Sequence, residues 1–124
     1  MQFKIDTSEK FHAITIKEPV LSANMTEELD ACLMPLLKQE VKNVVLNLQD
    51  TQNIDNAAGE HLVTIQQSFY EHNASFVICC MQKQVEKALD NAGILELLNI
   101  APTESEAWDI LHMEEIEREL GDSI

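Results

Sequence analysis

Two runs rich in apolar, largely β-branched and aliphatic residues constrain this chain more than any other feature. Val41 to Leu48 holds Val44-Val45-Leu46, and Ser75 to Met81 holds Phe76-Val77-Ile78-Cys79-Cys80. Neither run alternates apolar with polar residues, so neither reads as a strand with one wet face. Each reads as a strand buried on both faces, which requires helices on either side of the sheet. Between them Leu62, Ile65 and Phe69 recur at helical spacing, and Glu71-His72-Asn73 ends that helix. Strand, helix, strand in this order is the signature of an α/β fold with a parallel sheet.

The rest of the chain fits around that unit. Phe3, Ile5 and Thr7 alternate with polar neighbours, and residues 11–17 do so less strictly. Residues 2–8 and 11–17 therefore form a predicted hairpin across Ser8-Glu9-Lys10. Pro19 stops the second strand, and Ser22 to Asn24 supply capping side chains for an amphipathic helix through Met25, Leu29, Cys32, Leu33, Leu36 and Leu37. Pro35 lacks an amide donor and crowds the preceding turn, so the helix should kink or break near Met34. A third helix over Lys83 to Asn91 ends at Gly93, and Leu95 to Ile100 is a short strand or extended segment before Pro102. A fourth helix runs from Thr103 to His112, with Thr103 and Glu106 spaced as a capping box and Ala107, Trp108 and Leu111 turned inward. The expectation is a mixed sheet of about five strands, with an antiparallel N-terminal edge strand, and about four α-helices. Residues 1–112 form one domain. Residues 113–124, with Glu114, Glu115, Glu117 and Glu119 among Ile116 and Leu120, form an acidic C-terminal extension that prolongs the helix or frays.

Charge excludes several functions. The chain of 124 residues carries 22 acidic against 8 basic side chains, a formal net charge of -14. Such a surface repels phosphate backbones and anionic lipid, so no nucleic-acid partner is expected. The acidity either serves solubility or steers association toward a basic partner. The N-terminus has no signal-peptide pattern, and no window approaches the ~18 apolar residues of a membrane span, so the expected location is the cytoplasm, without membrane insertion.

Chemistry-bearing clusters are sparse. Cys32, Cys79 and Cys80 suit reduced, buried thiols better than a disulfide framework, and no histidines stand near them at metal-ligand spacing. Glu60 and His61 are adjacent and so diverge on a helix, which favours an exposed recognition surface over acid-base catalysis. His12, His72 and His112 are scattered and read as surface residues. Asp50 and Asp55 lack a third acidic ligand, and Gly59, Gly93 and Gly121 are too dispersed for a phosphate loop. No metal, cofactor or catalytic residue is assigned.

The loop Gln49 to Asp55 lies where an open α/β sheet places its functional crevice, beyond the carboxyl end of a strand and against a helix N-terminus. Asp55 or Asn56 would cap that helix. Val44-Val45-Leu46-Asn47-Leu48 followed by Ile54-Asp55 and a helix resembles the signature segment of STAS domains, the family of bacterial anti-sigma factor antagonists. The resemblance continues through Phe76-Val77-Ile78-Cys79, Val85 to Leu89, Asp90-Asn91-Ala92-Gly93-Ile94 and Glu106-Ala107-Trp108, covering about residues 2–112.

That resemblance implies a non-catalytic protein-protein interaction module for an anti-sigma factor or related signalling protein. It places the contact surface on Asp55, Asn56, Ala57, Ala58, Gly59, Glu60 and Thr64, where small residues at 56–58 would allow close approach. In phosphoregulated members a serine follows the aspartate. Here Asn56 holds that position, followed by Ala57 and Ala58, and sliding by one residue to align Gly59 puts Ala57 there instead. Neither register leaves a hydroxyl, and an uncharged amide does not mimic a phosphate. The serine switch is therefore expected to be absent, with Thr51 the nearest hydroxyl. The alternatives are a STAS accessory subunit of an ABC transporter ATPase and, from another class, a small-molecule-binding domain. Homodimer formation is left open.

Overall fold

The computed structural model describes residues 1–122 of the chain, so the last two residues of the expected C-terminal extension lie outside the described residues. The chain opens with β1 (Phe3–Thr7), β2 (His12–Ile16) and a two-residue strand β3 (Val20–Leu21). Helix α1 (Thr26–Leu33), β4 (Val44–Asn47), β5 (Asn53–Ile54) and α2 (Asn56–Glu71) follow. The chain closes with β6 (Phe76–Cys79), α3 (Lys83–Asn91), β7 (Ile100–Ala101) and α4 (Glu104–Asp122). The main sheet has five strands in the order β1-β2-β4-β6-β7, with β1 antiparallel to β2 and the other neighbours parallel. The expected mixed α/β architecture is therefore present.

The two aliphatic runs occupy the centre of that sheet, and every residue of β4 and β6 is buried. Alternate side chains enter two separate apolar layers. Ile14, Ile16, Val44, Leu46, Phe76 and Ile78 meet α1, α2 and α3 on one face. Val45, Val77 and Cys79 meet Ala107 and Leu111 of α4 on the other. The spacing 58, 62, 65, 69 puts Ala58, Leu62, Ile65 and Phe69 on the buried side of α2, where Phe69 packs on Phe76 with ring centroids 5.2 Å apart. Pro35 acts as expected. Helix α1 ends at Leu33, and Met34–Lys38 continues as a 3-10 turn with the proline near its start.

Several local expectations are revised. Gln49 to Asp55 is not only a loop, because Asn53–Ile54 pairs in parallel with Val20–Leu21 as a second, two-stranded sheet. Trp108 is half-buried and stacks on His112, at a centroid distance of 4.9 Å, rather than entering the core. His12 is no surface residue. It is 2% exposed, its Nε2 donates to the Val41 carbonyl at 2.8 Å, and its Nδ1 is 2.9 Å from the Thr7 hydroxyl. A carbonyl can only accept, so this geometry selects the Nε2-H tautomer and leaves Nδ1 to accept from Thr7.

Helix α4 does not stop at His112. It runs unbroken to Asp122, and its added turns are anchored by polar contacts. Glu114 accepts from the Tyr70 hydroxyl at 2.7 Å and Glu115 from the Asn43 amide at 2.6 Å, while Arg118 donates to the Ser75 hydroxyl at 3.0 Å. Burial, then the bond to Glu114, raises the Tyr70 pKa well above its ordinary value, so Tyr70 stays a donor in this network. Among the described residues, no helix is long and apolar enough to cross a membrane.

Candidate functional site: the amino-terminal end of α2

Asp55 is where this surface is built. Its φ of -89° and ψ of 166° are those of a residue just outside a helix, and its Oδ1 accepts from the Ala58 N-H at 2.8 Å. Of the two candidate caps, Asp55 is therefore the one used. Its second oxygen does more, because Oδ2 accepts from the Ala23 N-H at 2.9 Å. Its own N-H donates to the Leu21 carbonyl at 3.0 Å, which extends the β3-β5 pairing by one residue. One carboxylate thus joins the start of α2 to the turn that leads into α1. Asp55→Ala should lose the cap and the bridge together, costing about 2 kcal/mol in chemical denaturation. A cost of about 1 kcal/mol, that of a cap alone, would show that the Ala23 contact carries no weight.

The sequence-predicted contact residues divide into two groups. Asp55, Asn56, Ala57, Glu60 and Thr64 are exposed, as is Gln67 further along the same side. Ala58 and Gly59 are buried and do not belong to an accessible surface. The reason is helical phase: position 58 heads the buried stripe through 62, 65 and 69, and position 59 faces α3. A Cβ on Gly59 would stand 2.6 Å from Leu89 Cδ2 and 3.3 Å from Ile94 Cδ1, so the glycine is there for close packing. The small residues at 58 and 59 serve the core, and only Asn56 and Ala57 present a small outward surface.

His61 also differs from its expected place beside Glu60 on an exposed face. It is half-buried, with Nε2 2.7 Å from Asp30 Oδ1, and this pair ties α2 to α1. No signal in the sequence pointed to Asp30, because the two residues are 31 apart and on different helices.

The flanking loop is closed by side chains from its neighbours. Gln82 Nε2 donates to the Gln49 carbonyl at 2.9 Å, and Gln84 Nε2 to the Gln52 carbonyl at 2.7 Å. Lys17 pairs with Asp50 at 2.9 Å, so Asp50 is engaged with a lysine and does not converge with Asp55 as a cation site. Thr51, the hydroxyl nearest in sequence to position 56, is fully buried and donates to the Glu18 carbonyl at 3.0 Å.

Reactive groups are few. The thiols of Cys32, Cys79 and Cys80 are free. Burial raises the pKa of Cys32, and burial followed by the Cys80 contact raises that of Cys79, which keeps both in the poorly nucleophilic thiol form. Among the described residues, no group of three His, Cys, Asp or Glu side chains is placed to hold a metal ion.

What the arrangement offers is a helix start held by the Asp55 carboxylate and framed by braced loops. Comparisons with known proteins bear on its kind. The STAS domain family model matches residues 2–107. A protein from Thermotoga maritima described as an anti-sigma factor antagonist superposes with a TM-score of 0.73 at 18% identity, over 89% of this chain and 94% of that one. The anti-sigma factor antagonist SpoIIAA in its unphosphorylated form gives 0.69 at 15% identity, over 90% and 96%. The murine anion transporter Solute Carrier 26 family member A9 gives 0.70 at 12% identity, over 83% of this chain and 18% of that one. Identities this low establish the fold, and the presence of that fold in both antagonists and a transporter means that it does not choose a partner. The family model spans most of the sequence with both central strands and the α2 junction inside it, and this chain belongs to the STAS domain family.

Proposed function

We propose that this chain is a non-catalytic cytoplasmic interaction module that binds an anti-sigma factor or a related signalling protein through the exposed start of α2, without a serine phosphorylation switch. The observation that carries this reading is the double anchorage of Asp55 to Ala23 and Ala58, which holds Asn56, Ala57, Glu60 and Thr64 in a fixed array. A preorganised surface loses little conformational freedom on binding, so more of its contact energy appears as affinity. Support also comes from the resemblance in fold to anti-sigma factor antagonists. The net charge of -14 suits a partner with a basic surface, which would associate more slowly as salt rises.

The absence of a switch rests on chemistry. Asn56 and Ala57 carry no hydroxyl, and the Thr51 hydroxyl is buried in a bond to Glu18. Incubation with a cognate kinase and ATP should leave residues 51, 56 and 57 unmodified by mass spectrometry, and phosphate at Thr51 would overturn this part of the reading.

A pull-down from native lysate identifies the partner class. A kinase-like regulator supports the proposal, and a transporter ATPase would select the alternative of an accessory subunit. With the partner in hand, Asn56→Trp should weaken binding by about tenfold or more, since it puts bulk where the contact surface is small. The same change should leave the fold intact within about 0.5 kcal/mol, because Asn56 is exposed. Wild-type affinity in this variant would mean that the partner docks elsewhere.

A further inference from the structure

The edge strand β1 is exposed along all five of its residues, and its apolar side chains Phe3 and Ile5 are 41% and 39% exposed. Beside it lies a cleft of about 340 Å³ lined by Met1, Phe3, Glu28, Ala31 and Cys32. An exposed edge with apolar residues invites pairing by another strand. The identity of that strand follows from the register.

The β1-β2 ladder pairs Phe3 with Ile16, Ile5 with Ile14 and Thr7 with His12. At its two ends Lys17 donates to the Gln2 carbonyl and Ser8 to the Phe11 carbonyl, so the even-numbered residues of β1 bond inward. Antiparallel bonding alternates along a strand, and Phe3, Ile5 and Thr7 therefore turn their N-H and C=O groups to the open edge. A second β1 running antiparallel can dock there only with residues of like parity opposite one another. Centring the two-fold axis on Lys4 or Asp6 sets like charges face to face. Centring it on Thr7 opposes Lys4 with Lys10, and centring it on Phe3 leaves half of the strand without a partner. Centring it on Ile5 satisfies every position: Ile5 meets Ile5, Phe3 meets Thr7, and Lys4 of each copy meets Asp6 of the other. In the free chain Lys4 and Asp6 already share the face of β1 away from Phe3 and Ile5, 3.5 Å apart and largely exposed.

We propose that β1 is a self-complementary edge through which two copies of this chain join, two-fold symmetric about Ile5, into one continuous sheet. The opposed Lys4-Asp6 pairs select a second copy over an arbitrary extended peptide, and the same pairs discriminate this register from the others. The joined edge is short, so the dimer is weak and concentration-dependent. It leaves the exposed α2 residues free, since none of them lies on β1, and so gives a bivalent binder.

Sedimentation velocity over rising concentration of the full chain tests this with three variants. Lys4→Asp makes both cross-strand pairs repulsive and should raise the concentration of half-dimerisation by about tenfold or more, and Asp6→Lys should do the same. The double variant Lys4→Asp with Asp6→Lys restores opposite charges and should return to within about threefold of wild type. That rescue separates pairing from a loss of fold. A chain that stays monomeric at every concentration overturns the proposal, as do single variants that dimerise like wild type or a double variant that is not rescued.

Discussion

Truncating Phe69 to alanine should remove about 3–5 kcal/mol of stability, read as a fall in the urea midpoint at unchanged slope. The ring is fully buried on the sheet-facing side of α2 and meets Phe76 at 5.2 Å with the planes tilted by 51°. Tilted aromatic pairs contribute about 0.5–1.5 kcal/mol beyond their buried area, so both the pair and the burial are lost. The surroundings have little freedom to close the gap, because the Phe69 carbonyl also accepts from the Ala74 N-H at 2.9 Å where the chain turns back into β6. Against a typical total of about 5–15 kcal/mol, such a loss takes the fold to its margin. Phe3→Ala, at the exposed edge, should cost less than about 1 kcal/mol in the same measurement. Equal costs at the two positions would mean that α2 is not the main cover of the sheet.

Asn43→Ala should cost about 2–4 kcal/mol, although Asn43 is polar and stands before a strand rather than within it. Its Oδ1 accepts from the buried Ser75 N-H at 2.8 Å and from Arg118 at 3.4 Å. Its Nδ2 donates to the Lys10 carbonyl at 3.2 Å and to Glu115 at 2.6 Å. Alanine would leave the Ser75 amide without that acceptor in a dry site and release Glu115 of α4 from the sheet, with Arg118 still held by the Ser75 hydroxyl. Two readouts separate these effects. Chemical denaturation reports the global loss, and amide exchange over residues 113–120 should quicken as the last turns of α4 detach. Unchanged exchange there would show that Arg118 and Tyr70 hold the helix end unaided.

Much of the fold was legible because its signals lie within single elements. The runs at 44–48 and 76–79 announced strands buried on both faces, the stripe at 62, 65 and 69 announced the core side of α2, and Pro35 announced the end of α1. A cap at Asp55 or Asn56 was legible too, since a side-chain acceptor before a helix answers a purely local need, and the structure chose Asp55. Even the burial of Ala58 was within reach, as it continues the 62, 65, 69 spacing by four residues. Its small size suggested surface instead, because a small residue suits either an open approach or a tight helix contact.

What stayed hidden depends on partners far apart in sequence. The strands Val20–Leu21 and Asn53–Ile54 are too short to show any period, and only each other's backbone defines them. His12 reads as a surface residue until the Val41 carbonyl is placed beside its ring, and His61 as an outward residue until α1 brings Asp30 to it. The face of Gly59 was set by Leu89 and Ile94 of a later segment. By itself the sequence determined the order and burial of the central elements, a cap for α2 at Asp55 or Asn56 and the lack of an acceptor hydroxyl after Asp55, because those are properties of residue type and period. The tertiary structure alone decided which small residues are accessible, which histidines are buried or paired, and what holds the last turns of α4, since each depends on a contact across dozens of residues that no local pattern records.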